Sequence, residues 1–355
     1  VMDILSIQYL RGVAAMMVVA VHLYPQLERM GYQGYWPHWL AAGVDIFFVL
    51  SGFLMWITTR GKKVGVWQFY GRRAARIVPL YWLLTSVAVA VMLIAPQLLQ
   101  TTRFGLSHVV ASYFFIMTPN PAGLIEPVLT VGWTLNYEML FYVIFGLALL
   151  LPASWRFSAV TLVLLGLSMV GWFVADASTP ILQVYTSDIV LEFLLGMGVG
   201  VWFSHPHRGG SALLGAAMVV GGFVVIALLS VLAPEVSRPL VRGVPAAVIV
   251  AGAILLERFQ ALPRMAWLHK LGDASYSLYL SHAFVLSALS QAWRKLHLDT
   301  LPGGWVGFGL AGLLACTVAG MLVYAWLERP LISLFKRPSE QAASKAATRR
   351  SVAGL

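Results

Sequence analysis

Arg11 and His22 stand eleven residues apart in a stretch that otherwise reads as a membrane-spanning helix, Leu10-Arg11-Gly-Val-Ala-Ala-Met-Met-Val-Val-Ala-Val-His22-Leu-Tyr. Eleven steps of about 100° come to three turns plus about 20°, so both side chains project from one face, about 16 Å apart along the axis. An ionisable residue inside a membrane helix is costly and marks a functional site facing the protein interior. Arg keeps its proton, whereas His can act as a base near neutral pH. A fixed cation and a titratable imidazole in register point to chemistry rather than anchoring.

Other residues of chemical potential are sparse. Asp45 and Glu138 each stand within long apolar runs. An imidazole with a carboxylate nearby suits general-base catalysis, the acid fixing the tautomer and stabilising the imidazolium. Arg72, Arg73 and Arg76 cluster before another apolar run. Spacing of three puts Arg73 and Arg76 on one helix face, and planar guanidinium forks suit phosphates, whether of a ligand or of lipid headgroups. Ser51-Gly52 permits close packing or backbone approach to a ligand; Ser51 lacks the Gly-x-Ser-x-Gly frame of a nucleophile. Ser275, Tyr279 and His282 share a face, either lining a cavity or bonding between helices. Cys316 lies in an apolar run with no local activator and reads as packing.

The elements that position these residues are membrane helices. The 355 residues are 59% hydrophobic and 11% charged, with mean hydropathy +0.81, far from soluble averages. Apolar runs near 5–24, 40–59, 77–95, 133–151, 158–175, 189–204, 211–232, 241–257, 275–293 and 305–327 are each about long enough to span. The run 107–117 is too short and reads as re-entrant or interfacial. The expected fold is thus an all-α polytopic bundle of about ten transmembrane helices, residues 1–335, followed by a disordered basic tail, 336–355. The net charge of +10 concentrates in short loops and the tail, as in orientation by the positive-inside rule, and implies no nucleic acid. The segment from Arg60 to Arg76 carries six basic residues and no acidic one, which makes it cytoplasmic. Both termini then lie inside, with the first helix retained rather than cleaved.

That topology places Arg11, Arg72, Arg73 and Arg76 toward the cytoplasm. It brings His22, Asp45 and Glu138 to similar depths in the outer half. On the residues alone, three readings remain open: an enzyme with His22 as base, a proton-coupled transporter using His22, Asp45 and Glu138 as a relay, and a non-catalytic subunit of a polysaccharide assembly. No paired, broken helices in two related halves support transport. No nucleotide-binding loop, metal motif or redox motif is present, so no metal is expected.

Five motifs in order, Arg11-x10-His22, Phe47-Phe48-x-x-Ser51-Gly52-Phe53, Arg73-x-x-Arg76 with Pro79-Leu-Tyr81, Gly132-Trp133-Thr-Leu-x-x-Glu138-x-x-Phe141-Tyr142, and Ser275-Tyr-Ser-Leu-Tyr279-Leu-x-His282, resemble the acyltransferase 3 family. Within it the chain looks most like exopolysaccharide O-acetyltransferases of the succinoglycan type. The resemblance implies transfer of an acetyl group from cytoplasmic acetyl-CoA to a sugar hydroxyl of a cell-envelope glycan, free or lipid-linked, in a bacterial inner membrane. It implies His22 as the essential His and Arg11 as the essential Arg; the depths of the residues then suggest His22 as general base or transient acyl carrier, with Glu138 or Asp45 orienting it. Arg11, Arg72, Arg73 and Arg76 would bind CoA, with Ser51, Tyr279 and His282 along its path. Trp133 and Tyr142 would offer a sugar-stacking surface at the outer side.

Overall fold

The computed structural model describes residues 4–95, 104–174, 180–205 and 209–335; the tail 336–355 lies outside them. Fourteen α-helices follow in order: α1 (Leu5–Glu28), α2 (Gly43–Thr59), α3 (Val66–Ile94), α4 (Leu106–Tyr113), α5 (Trp133–Ala148), α6 (Ala153–Val174), α7 (Pro180–Tyr185), α8 (Leu191–Phe203), α9 (Ala212–Leu232), α10 (Val244–Arg258), α11 (Ala266–Asp273), α12 (Ser275–Lys295), α13 (Gly304–Val323) and α14 (Arg329–Phe335). Among the described residues no strand forms; one isolated bridge joins Pro119 to Ile125. Nine helical segments there are long and apolar enough to cross a membrane, and the protein is a multi-pass membrane protein. Helix α12 matches them in length but is more polar. Its Ser275, Ser277, Tyr279, Ser281 and His282 are buried, so protein rather than lipid surrounds the polar face.

Burial separates inner from outer helices. The apolar windows of α2 and α10 are each 67% buried, those of α6 and α9 only 17%. Helix α1 packs against α2, α10, α11, α12 and α13. Its first turn is satisfied by Glu257 at the end of α10, which accepts from the backbone N–H groups of Leu5 (2.8 Å) and Ser6 (3.0 Å). These are donors a helix start leaves orphaned. Helices α2 and α8 cross closely because Gly52 and Gly196 leave room. A Cβ at Gly52 would meet the carbonyl oxygen of Phe193, and one at Gly196 that of Val49. In the absence of a hydrophobic drive between helices in lipid, such close backbone contact stabilises the pair through dispersion.

One boundary departs from expectation in a way that matters for the site, and one expected short segment forms as read. Helix α3 begins at Val66, not near 77, so Arg72, Arg73 and Arg76 lie two to three turns inside it rather than at its start. Hydropathy finds only the apolar part of a helix, and a basic interfacial turn continues it invisibly. The short segment near 107–117 forms the eight-residue α4 and a turn. It buries Val109 and Ala111 and exposes Leu106, Val110 and Phe114, an amphipathic piece that does not span.

Candidate active site

Two turns of π-helix interrupt the long helices, at Pro239–Gly243 before α10 and at Tyr324–Glu328 after α13. Such turns widen a helix locally and occur often at functional sites. Each here borders an arginine–carboxylate cluster, at opposite ends of the bundle.

The first cluster lies at the basic end. Arg76 pairs with Glu328, the last residue of the second π-turn, which is almost fully buried. Ser277 of α12 donates to the other Glu328 oxygen at 2.5 Å. The Arg76 guanidinium lies over the Tyr276 ring, 5.6 Å from its centre. Arg73 sits 5.9 Å from the ring centres of both Phe69 and Tyr142, and its buried Nε finds no hydrogen-bond acceptor. Arg72 is exposed. Arg11 is half-buried, its guanidinium 3.3 Å from the Gln8 amide oxygen and within electrostatic range of Arg76, Glu328, Asp273 and Glu138. Helix α1 thereby brings Arg11 within electrostatic range of Arg76 on α3.

The second cluster surrounds a cavity of about 220 Å³ lined by residues that include His22, Val44, Trp133, Arg238 and Tyr279. His22 Nδ1 lies 2.8 Å from the carbonyl oxygen of Val18, one turn back. A carbonyl only accepts, so Nδ1 carries the proton and Nε2 is left with its lone pair. His282 is pinned the same way by the Tyr279 carbonyl at 2.6 Å, and its Nε2 is buried without a partner. The two imidazoles meet edge to face at 4.8 Å. Tyr279 donates to the Val131 carbonyl at 2.7 Å and bonds Thr134 at 2.8 Å, which ties α12 to the start of α5.

The two carboxylates expected to orient His22 are engaged elsewhere. Asp45, fully buried, accepts from Arg238 Nε at 2.8 Å and from its Nη2 at 3.0 Å. Glu138 accepts from Ser51 at 3.0 Å and from Tyr142 at 2.5 Å. The imidazole of His22 is thus set by its own helix and by His282. Glu138 is not level with His22, because α5 begins inside the bundle. Trp133, its first residue, already lines the cavity, so Glu138 sits about 7 Å deeper, level with Ser51. Tyr142 lies deeper still, beside Arg73. It is not at the outer side with Trp133, because nine residues of helix separate them by about 13 Å. Tyr279 and His282 stand beside His22, away from the basic end.

Arg238, Glu192 and Glu328 went unnoticed in the sequence. The signal was there for the acids: Leu191-Glu192-Phe193 and Leu327-Glu328 each place one carboxylate in an apolar run, and intramembrane charge marks function or pairing. Arg238 precedes a proline outside the apolar run and carried no such mark. Among the described residues no group of three or more His, Cys, Asp or Glu could hold a metal ion.

The chain is 40% identical over 299 residues to the exopolysaccharide production protein ExoZ of Rhizobium meliloti, covering 82% of this chain and 89% of that protein. It is 26% identical over 366 residues to the peptidoglycan O-acetyltransferase OatA of Listeria monocytogenes, covering 92% of this chain but only 55% of that protein. No solved structure matches. Residues 4–324 match the acyltransferase domain that defines the acyltransferase 3 family, and the chain belongs to that family.

Proposed function

We propose that the protein moves an acetyl group from acetyl-CoA to a sugar hydroxyl of an exopolysaccharide or its lipid-linked precursor, with His22 as base. The carrying observation is the pairing of two sites in one bundle. A base nitrogen faces a small cavity, and a cluster of guanidiniums lies at the other end, with Arg11 extending it inward. The relatives' names support the chemistry: one serves exopolysaccharide production, the other O-acetylates peptidoglycan.

The basic end faces the cytoplasm, following the positive-inside rule, and both termini lie there in a bacterial inner membrane. CoA phosphates bind at Arg72, Arg73 and Arg76; the unpartnered Nε of Arg73 suits an anion. Glu328 holds Arg76 in place. The pantetheine arm extends past Arg11 toward His22, about 16 Å along α1. His22 Nε2 takes the proton of the acceptor hydroxyl as its oxygen attacks the thioester carbonyl. Collapse of the adduct expels the CoA thiolate, which recovers the proton from the imidazolium. The same lone pair serves equally if the acetyl group pauses on His22.

Calorimetric titration of acetyl-CoA into wild type, Arg73→Ala and His22→Ala tests this. Binding that is lost without Arg73 and retained without His22, together with loss of transfer in His22→Ala, is the expected result. Turnover that survives His22→Ala would end its catalytic role, and no binding to wild type would end the CoA reading.

A further inference from the structure

Arg238 opens the π-turn before α10 and projects into the cavity that contains His22. Two buried carboxylates stand behind it. Asp45 takes both its Nε–H and one Nη2–H, and Glu192 Oε1 lies 3.6 Å from Nε. Asp45 and Glu192 are both fully buried. Fixed in this way, the guanidinium cannot swing, and three of its five N–H donors remain outside the Asp45 pair. Its central carbon lies over the Trp133 ring, 5.7 Å from the centre, and Trp133 lines the same cavity. Charge also constrains the occupant. Asp45 already balances the one cation, so the wall offers no surplus positive charge to an anion.

An aromatic face, clamped donors and a free imidazole lone pair around about 220 Å³ fit a ring with several hydroxyls. That is the space of about seven water molecules. Building on the transferase reading above, we infer that Arg238, clamped by Asp45 and Glu192, positions the acceptor, holding a neutral sugar ring against Trp133 with one hydroxyl at His22 Nε2. Lysine cannot replace it, because a single ammonium cannot hold the Asp45 carboxylate in two bonds while presenting donors in a fixed plane.

The test uses the full-length protein in nanodiscs with radiolabelled acetyl-CoA and two probes, p-nitrophenyl β-glucoside and p-nitrophenyl β-glucuronide. Wild type should use the glucoside with kcat/KM at least about tenfold above the glucuronide, the worth of one well-placed charge-assisted bond. Arg238→Lys should raise the glucoside KM about tenfold or more, with kcat and acetyl-CoA affinity little changed. The double variant Arg238→Gln/Asp45→Asn removes both charges together, so it guards against a misfolded single variant and should show the same KM defect. An unchanged KM in a folded Arg238→Lys protein overturns the proposal. So does a fall in kcat and melting temperature alone, which would mark a structural ion pair, or a preference for the glucuronide. Transfer to neither probe by a wild type that binds acetyl-CoA overturns the sugar assignment while leaving the donor reading standing; no acetyl-CoA binding would instead fail the donor reading.

Discussion

Both ends of the bundle hold arginine against buried carboxylate beside a π-turn, yet they differ in charge balance. Around Arg76 the cations exceed the acids: Arg11 on α1 and Arg72, Arg73 and Arg76 on α3 stand against Glu328, Asp273 and Glu138. Around the cavity one guanidinium faces both Asp45 and Glu192. Excess positive charge at a membrane-protein end attracts a polyanion, whereas a compensated pair offers fixed hydrogen-bond donors without net attraction. On the proposed reading, the same residue types serve as an anion mouth at one end and a polar, near-neutral pocket at the other.

The sharpest way to break this contrast is His22→Ala. On the base mechanism, transfer should fall by about 10²- to 10⁴-fold while acetyl-CoA affinity stays within about twofold, as measured by single-turnover assay and calorimetry. If both fell together, the two ends would not be separate sites.

The next largest effects separate Arg73 from Arg76. Arg73→Ala should weaken acetyl-CoA binding about tenfold or more, since a charge-assisted phosphate contact is lost, with little change in thermal stability. Arg76→Ala strands the buried Glu328 carboxylate. It should cost about 3 kcal/mol of stability, the low end for a broken buried pair because Arg76 is partly exposed. Arg76→Ala/Glu328→Gln should recover most of that melting temperature but not the affinity for acetyl-CoA.

A smaller effect tests the packing that carries Asp45 and Glu192 on neighbouring helices. Gly196→Ala drives a methyl group toward the Val49 carbonyl. It should lower stability by about 1–3 kcal/mol through overpacking, with loss of the ordered α2–α8 contact seen as faster hydrogen exchange in both helices.

The smallest concerns the loop between α4 and α5. His108 donates to the Glu126 carbonyl oxygen at 2.7 Å, and Asn120 to the Glu126 carboxylate at 3.2 Å. Burial raises the Glu126 carboxyl above its ordinary value of 4.5, with His108 and Asn120 pulling the other way. A folded-state value above the unfolded one favours the fold at low pH, and that contribution is lost as pH rises through the folded value. Melting temperature should therefore decline slightly on raising pH from below 4.5, and Glu126→Gln should flatten that slope. An unchanged slope in the variant would show that the loop does not hold its carboxyl this way.

The sequence made much of this legible. Helix period put Arg11 and His22 on one face, and the structure directs Arg11 to the α3 arginines and His22 into a cavity. Hydropathy located the spans, though not the polar-turn start of α3 or the short α11 that packs on α1. What was misread has two causes. Position along a membrane helix follows from chain position and bilayer thickness, so depth can be counted in residues; the count failed only where α5 started inside the bundle. The direction a side chain faces around the helix axis is fixed by whichever neighbour packs there, and nothing local encodes that neighbour. Asp45 therefore met Arg238, 193 residues away, rather than His22. Arg76 met Glu328 across 252 residues. The residue types and the shared helix face of Arg11 and His22 were determined by the sequence alone; the levels of Glu138 and Tyr142, the carboxylate that answers each arginine, and the orientation of His22 by a backbone carbonyl beside His282 were decided only by how the helices pack.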